Sequence, residues 1–178
     1  MEPILKSGFS YNEQIKKPIK TITYCDDTKT IFEKYTLNNK YHREDGPAII
    51  CYNLDDKINY ELYYINGLKH RKKGPAYIKY YDNGKIYCEK YFKYGKLHCI
   101  NKPAMIKYYE NGKIYYEQYY IDDKFHHKHG PAIIEYYRNG KPKYKYFVKG
   151  RLHRKYGPAK IFYFENGKLD FLKTLYFI

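Results

Sequence analysis

Histidine recurs at His42, His70, His98, His126 and His153, a spacing of 28, 28, 28 and then 27 residues. Four residues after each one stands the position before a Pro-Ala pair: Gly46, Gly74, Lys102, Gly130 and Gly157. A fixed period in this range means that one supersecondary unit is copied along the chain. A single copy cannot bury its apolar face, so the copies must stack. Units begin near residues 18, 47, 75, 103, 131 and 158, which predicts a repeat domain over 18–178 preceded by an N-terminal arm or cap over 1–17. The first and last units diverge, as end units must when they close a stack.

Within a unit the pattern is that of a hairpin. In the third, Ala76-Tyr-Ile-Lys-Tyr-Tyr81 is followed by Asp82-Asn83-Gly84-Lys85 and then by Ile86-Tyr-Cys-Glu-Lys-Tyr-Phe92. Asn-Gly between alternating runs is the strongest short-range hairpin signal, because both residues tolerate positive φ. A two-residue turn there sets Tyr80 opposite Tyr87, Ile78 opposite Glu89 and Ala76 opposite Tyr91. A second turn at Lys93-Tyr94-Gly95-Lys96 leads through Leu97-His98 to the next Pro-Ala. An X-Pro step needs only extended backbone before the proline, so Lys102 can stand where the other units have glycine.

Period two sorts the side chains onto two faces. One face of each first strand repeats Ala76, Ile78 and Tyr80, with Glu89 and Tyr91 beside them on the second strand. The opposite face varies from unit to unit and is the better candidate for recognition. Its candidate residues are Tyr77, Lys79, Tyr81, Met105, Lys107 and Tyr109. The prediction is an all-β fold: an elongated single sheet of about six consecutive β-hairpins, up to twelve strands and roughly 55 Å long at ~4.8 Å per strand.

The chain has 27 Tyr, no Trp, and 34 basic against 19 acidic side chains, a net charge of +15. Tyrosine suits strands wetted on a face, since the ring packs while the hydroxyl reaches water. The positive charge admits acidic proteins, anionic lipid and nucleic acid as partners, and it also keeps a long sheet soluble. No secretory signal or long apolar run is evident, and Cys25, Cys51, Cys88 and Cys99 form no close pair motif. The expectation is therefore reduced thiols and a cytoplasmic location.

The regular histidines invite a metal site. Equivalent positions in successive hairpins lie two strands apart, roughly 9–10 Å, which zinc bonds of about 2 Å cannot join. Only Phe125-His126-His127-Lys128-His129 offers local clustering. The series His42, His70, His98, His126 and His153 therefore reads as structural, with each imidazole capping a turn. Glu33, Glu61, Glu89 and Glu117 form a similar stripe where an enzyme would need one unique constellation, and no nucleophile motif or phosphate loop is present. Catalytic residues, metal ligands, cofactors and a small-molecule substrate are not expected.

Laid out as Glu-x-Tyr-Tyr-x-x-Gly-Lys-Leu-His-Arg-x-x-Gly-Pro-Ala, the unit resembles the MORN-repeat family. It is most similar to the His-Arg-x-x-Gly-Pro-Ala variant found in large amoeba-infecting DNA viruses. Tyr146-Phe-Val-Lys-Gly-Arg-Leu-His-Arg-Lys-Tyr-Gly-Pro-Ala159 carries the likeness best, with Asn66-Gly67-Leu-Lys-His70 and Tyr94-Gly95-Lys-Leu-His98 repeating parts of it. The resemblance implies an elongated sheet of hairpins and no catalysis. It also implies a scaffold that binds a protein partner or a second copy of itself, or attaches to anionic membrane. If viral, the chain would act in the host cytoplasm.

Overall fold

A computed structural model describes residues 17–148 and 150–175. The predicted arm thus falls on residues outside the described ones, apart from Lys17. No helix occurs among the described residues, and one antiparallel sheet of 12 strands dominates. Its eleven-strand path begins with β1 (Ile19–Cys25) and β2 (Thr30–Leu37). The path continues through Ile49–Tyr52, Ile58–Leu62, Tyr77–Tyr80, Ile86–Lys90, Met105–Tyr108, Ile114–Gln118, Ile133–Tyr136, Pro142–Lys145 and Lys160–Ile161. Strand order follows chain order and the two end strands do not pair, so the sheet is open.

The registers put Ile and Glu in one continuous row. Ile22 faces Glu33, Glu33 faces Ile50, and the alternation runs through Glu61, Ile78, Glu89, Ile106 and Glu117 to Ile134. Ile78 lies opposite Glu89, as the hairpin pattern predicts. Nearer the turn the prediction fails: Tyr80 pairs with Ile86 instead of Tyr87. The loop is three residues long, with Tyr81 N–H donating to Lys85 O and Gly84 N–H to Tyr81 O. Only the glycine takes positive φ (79°), while Asn83 Oδ1 accepts the Lys85 N–H at 3.0 Å. A β-bulge at Tyr87 absorbs the extra residue and restores the predicted register below it.

The same bulge falls at Asn59 and Tyr115. Unit five has none: Ile133–Tyr136 pairs with Pro142–Lys145 without interruption. Its 27-residue length is therefore one bulge residue fewer, and the ladder is otherwise unaltered.

The second turn is more than a connection. Asn66-Gly67, Tyr94-Gly95 and Asp122-Asp123 all have positive φ at both residues, the twist-matched turn of a tight hairpin. Each closes a two-residue ribbon, such as Tyr64–Ile65 with Leu68–Lys69. These ribbons stack along the main sheet through bonds that include Gly67 N–H to Tyr41 O, Gly95 N–H to Lys69 O, Asp123 N–H to Leu97 O and Gly150 N–H to Phe125 O.

Main strand and ribbon meet at a tyrosine. Tyr35, Tyr63, Tyr91, Tyr119 and Tyr146 each donate N–H to the carbonyl of the next unit's Ala48, Ala76, Ala104, Ala132 or Ala159. Their own carbonyls accept from His42, His70, His98, His126 and His153. All five alanines are 0% exposed. In the last unit the second half of the hairpin is reduced to isolated bridges. Tyr163 bridges Leu169, Asp170 N–H and carbonyl bond Phe162 and Thr174, and Leu175 bridges Lys160. Buried Asp170 draws the chain into a turn there, accepting from Lys173 N–H, and residues 176–178 lie outside the described ones.

Ala104→Leu forces methylenes into a closed joint, and overpacking of this kind costs about 1–3 kcal/mol. Urea unfolding should show that loss, whereas Lys113→Leu at an exposed turn should leave the midpoint unchanged.

Candidate tyrosine–lysine face and cationic loop edge

On the regular face a phenol reaches each carboxylate across the unit boundary. Tyr80, Tyr108 and Tyr136 donate to Oε2 of Glu61, Glu89 and Glu117 at 3.0, 2.7 and 2.7 Å. Desolvation first, and then the neighbouring carboxylate, push these phenols well above the ordinary tyrosine range. The Glu stripe is thus engaged in holding successive units together.

The varying face is where the candidate residues lie. Lys79 and Lys107 flank Cys88 in the ladder, and both ammonium groups sit over the Tyr87 ring at 5.9 and 6.0 Å. Tyr81 packs edge-on against Tyr87 at 5.1 Å, Tyr109 lies 4.8 Å from Tyr115, and the Tyr115 hydroxyl donates to that of Tyr87. The Tyr81 and Tyr109 hydroxyls are themselves held by the carbonyls of Tyr108 and Tyr136. Lys79, Tyr81, Lys107 and Tyr109 therefore form one strip with the bulge residues Tyr87 and Tyr115, which a two-residue turn would have placed on the other face. Tyr77 and Met105 lie one row away, both pairing with Lys90. Burial pushes Tyr77 up to about 12 and raises the Cys88 thiol, leaving it a poor nucleophile.

Unit five lacks the bulge residue but continues the strip with Tyr137, whose hydroxyl donates to the Tyr163 carbonyl and whose ring lies 4.2 Å from Lys143. Beside it Met105, Lys107, Tyr115, Tyr116, Glu135 and Lys143 line an open depression of about 370 Å³.

A second feature escapes a reading by faces, because it lies in the loops at the other ends of the strands. Each joint tyrosine carries a cation or an imidazole on its ring. Arg43 lies 4.0 Å from Tyr35, Arg71 3.8 Å from Tyr63, Lys102 4.2 Å from Tyr91 and Arg154 4.2 Å from Tyr146. His127 stacks on Tyr119 at 3.9 Å. The outer side of each Arg or His meets the X-Pro backbone. Arg43, Arg71 and Arg154 donate to the carbonyls of Pro47, Pro75 and Pro158, and His127 Nδ1 to Pro131.

This explains the glycines better than the X-Pro rule does. A Cβ at Gly46 would come within 2.9 Å of the Arg43 guanidinium, and one at Gly130 within 2.8 Å of His127 Nδ1. Gly74 and Gly157 also take positive φ. Unit three has Cys99 in place of the arginine, so its X-Pro position is free to bear a side chain, and Lys102 returns the missing cation to the tyrosine. The paired change Cys99/Lys102 was the signal in the sequence.

The histidines reach forward to the next ribbon turn. His42 Nδ1 meets Asn66 at 2.8 Å, His98 Nδ1 pairs with Asp122 at 2.9 Å, and His70 stacks on Tyr94 at 4.4 Å. Among the described residues no three His, Cys, Asp or Glu side chains are placed to hold a metal ion, and no helix is long and apolar enough to cross a membrane. All four thiols are free.

No known family model and no curated protein matches the chain.

Gly130→Lys should destabilise by about 1–3 kcal/mol through overpacking against His127. Adding His127→Cys should recover most of that loss, a coupling read from a double-mutant cycle of chemical denaturation. High pH gives a second readout. Burial raises Tyr60, Tyr77 and Tyr120 from 10 to about 12, so the folded state favours their neutral forms. That stability is fully present below pH 10 and is lost as pH rises toward 12. Tyrosinate absorbance and loss of β-sheet circular dichroism should rise together through that window.

Proposed function

We propose that the chain is a non-catalytic scaffold of the MORN-repeat kind that binds a protein partner through its varying sheet face. The observation that carries this reading is the strip of Lys79, Tyr81, Lys107 and Tyr109 with Tyr87 and Tyr115, opening onto the depression beside unit five. Aromatic rings that are already packed and hydrogen-bonded lose little freedom on binding, and lysine stems over rings present both apolar area and charge. The repeat supplies the platform, and unit five differs from units two to four in lacking their bulge residue. A second copy of the chain is one candidate partner, which would make the scaffold a homodimer.

A photo-crosslinker at position 107 should give one saturable adduct with a protein. Unlabelled chain should compete it away, and Lys79→Glu/Lys107→Glu chain should not. Equal competition by both would contradict this assignment of the face. The alternative, an anionic lipid or nucleic-acid surface, draws on the same lysines and the net +15 charge. It would appear as lipid or nucleotide adducts, with affinity falling linearly in log salt.

A further inference from the structure

The row of ring-backed cations on the loop edge is separate from the sheet face and repeats once per unit. Two clefts of similar size lie between loops of successive units. One, of about 410 Å³, is lined by Arg43, Tyr63, Ile65, Arg71, Lys72 and Tyr94 among others. Its counterpart between units four and five, about 420 Å³, is lined by His127, Lys128, Tyr146, Arg154, Lys155 and Tyr156. Both join aromatic walls to cations. The second has no acidic residue, whereas the first has Glu44. Arg43 is paired with Asp45 at 2.8 Å, which closes the edge at unit one; from unit two onward the loops carry Arg71, Lys102, Lys128 and Arg154, with Asp122 paired to His98 at 2.9 Å.

Spacing selects the ligand. Equivalent positions are two strands apart, roughly 9–10 Å at ~4.8 Å per strand. A polyproline II helix advances ~3.1 Å per residue with three residues per turn, so every third side chain returns to one side after about 9.3 Å. A β-strand alternates its side chains and cannot put every third residue on one side. Grooves lined by aromatic rings are also what polyproline II segments dock into. Nucleic acid carries one phosphate per ~3.4 Å of each strand in a duplex, about three per unit against one ring-backed cation. A flat lipid surface cannot enter clefts between loops.

We propose that the loop edge from Arg71 to Arg154 is a docking groove for an extended acidic peptide in polyproline II conformation, with a carboxylate at every third residue. Arg71, Lys102 and Arg154 meet carboxylates from their tyrosine rings, and at unit four the exposed Lys128 beside His127 supplies the charge. The prolines between the carboxylates lie against Tyr63, Tyr94, Tyr146 and Tyr156.

Fluorescence anisotropy on the whole chain tests this with a labelled (Glu-Pro-Pro)4 peptide and an isomer of the same composition whose four glutamates are adjacent. The spaced peptide should bind about tenfold or more tightly than the clustered one. Lys72→Glu/Lys128→Glu/Lys155→Glu, all at exposed loop positions, should lose that binding with the fold intact by circular dichroism. Arg71→Gln should weaken it as well, and Lys79→Glu/Lys107→Glu on the sheet face should leave it unchanged. Equal affinity for the two isomers would overturn the proposal. So would tighter binding of phosphatidylserine vesicles or of an oligonucleotide than of the spaced peptide. Because the sheet-face variant is read separately, failure here leaves the assignment of that face standing.

Discussion

Everything in this fold hangs on the backbone of one tyrosine per unit. Its N–H holds the next unit's alanine carbonyl and its carbonyl holds the histidine N–H returning from the ribbon, so one residue joins strand, ribbon and neighbour. The alanine must be small because two backbones meet over it, and it is fully buried in all five units. The tyrosine ring is turned to the loop edge, where it carries a cation or imidazole. In four units that group then crowds the X-Pro position, most closely at Gly46 and Gly130. The Ala, the Gly and the His-Arg of the motif are thus consequences of one joint.

Between joints the units are tied by polar side chains as much as by apolar burial. The recurring Ile side chains are buried or half-buried, and between them a carboxylate accepts a phenol from the next unit. A single layer with water on both sides has little interior to bury. Tyrosine fits this setting because its ring contributes apolar area while its hydroxyl satisfies a neighbouring acceptor. Such a repeat is stabilised unit against unit, and its end units are its weakest points.

The architecture was legible because period and pattern repeat: five copies of Pro-Ala and five of Asn-Gly, four of them at the first turn of a unit, mark the strands and turns without any knowledge of packing. The pairing of Ile78 with Glu89 followed from alternation alone. The turn geometry did not, since Asn83-Gly84 suits both a two-residue turn and the three-residue loop that forms. The side-chain bond from Asn83 to Lys85 N–H and the bulge at Tyr87 belong to the latter. That one residue decides which face receives Tyr87 and Tyr115, so the candidate strip was half visible. The cationic edge was hidden for a different reason. Its parts, such as Tyr63, Arg71 and Gly74, lie apart in sequence and meet only when the loop folds back on the joint.

Native-state hydrogen exchange resolved by residue tests the central role of the joint most directly. The amides of Tyr63, Tyr91 and Tyr119 should be among the slowest in the chain, with protection declining toward Tyr35 and Tyr146 in the outer units. Exchange of these amides as fast as those of the turn residues Asn83 and Asn111 would contradict it.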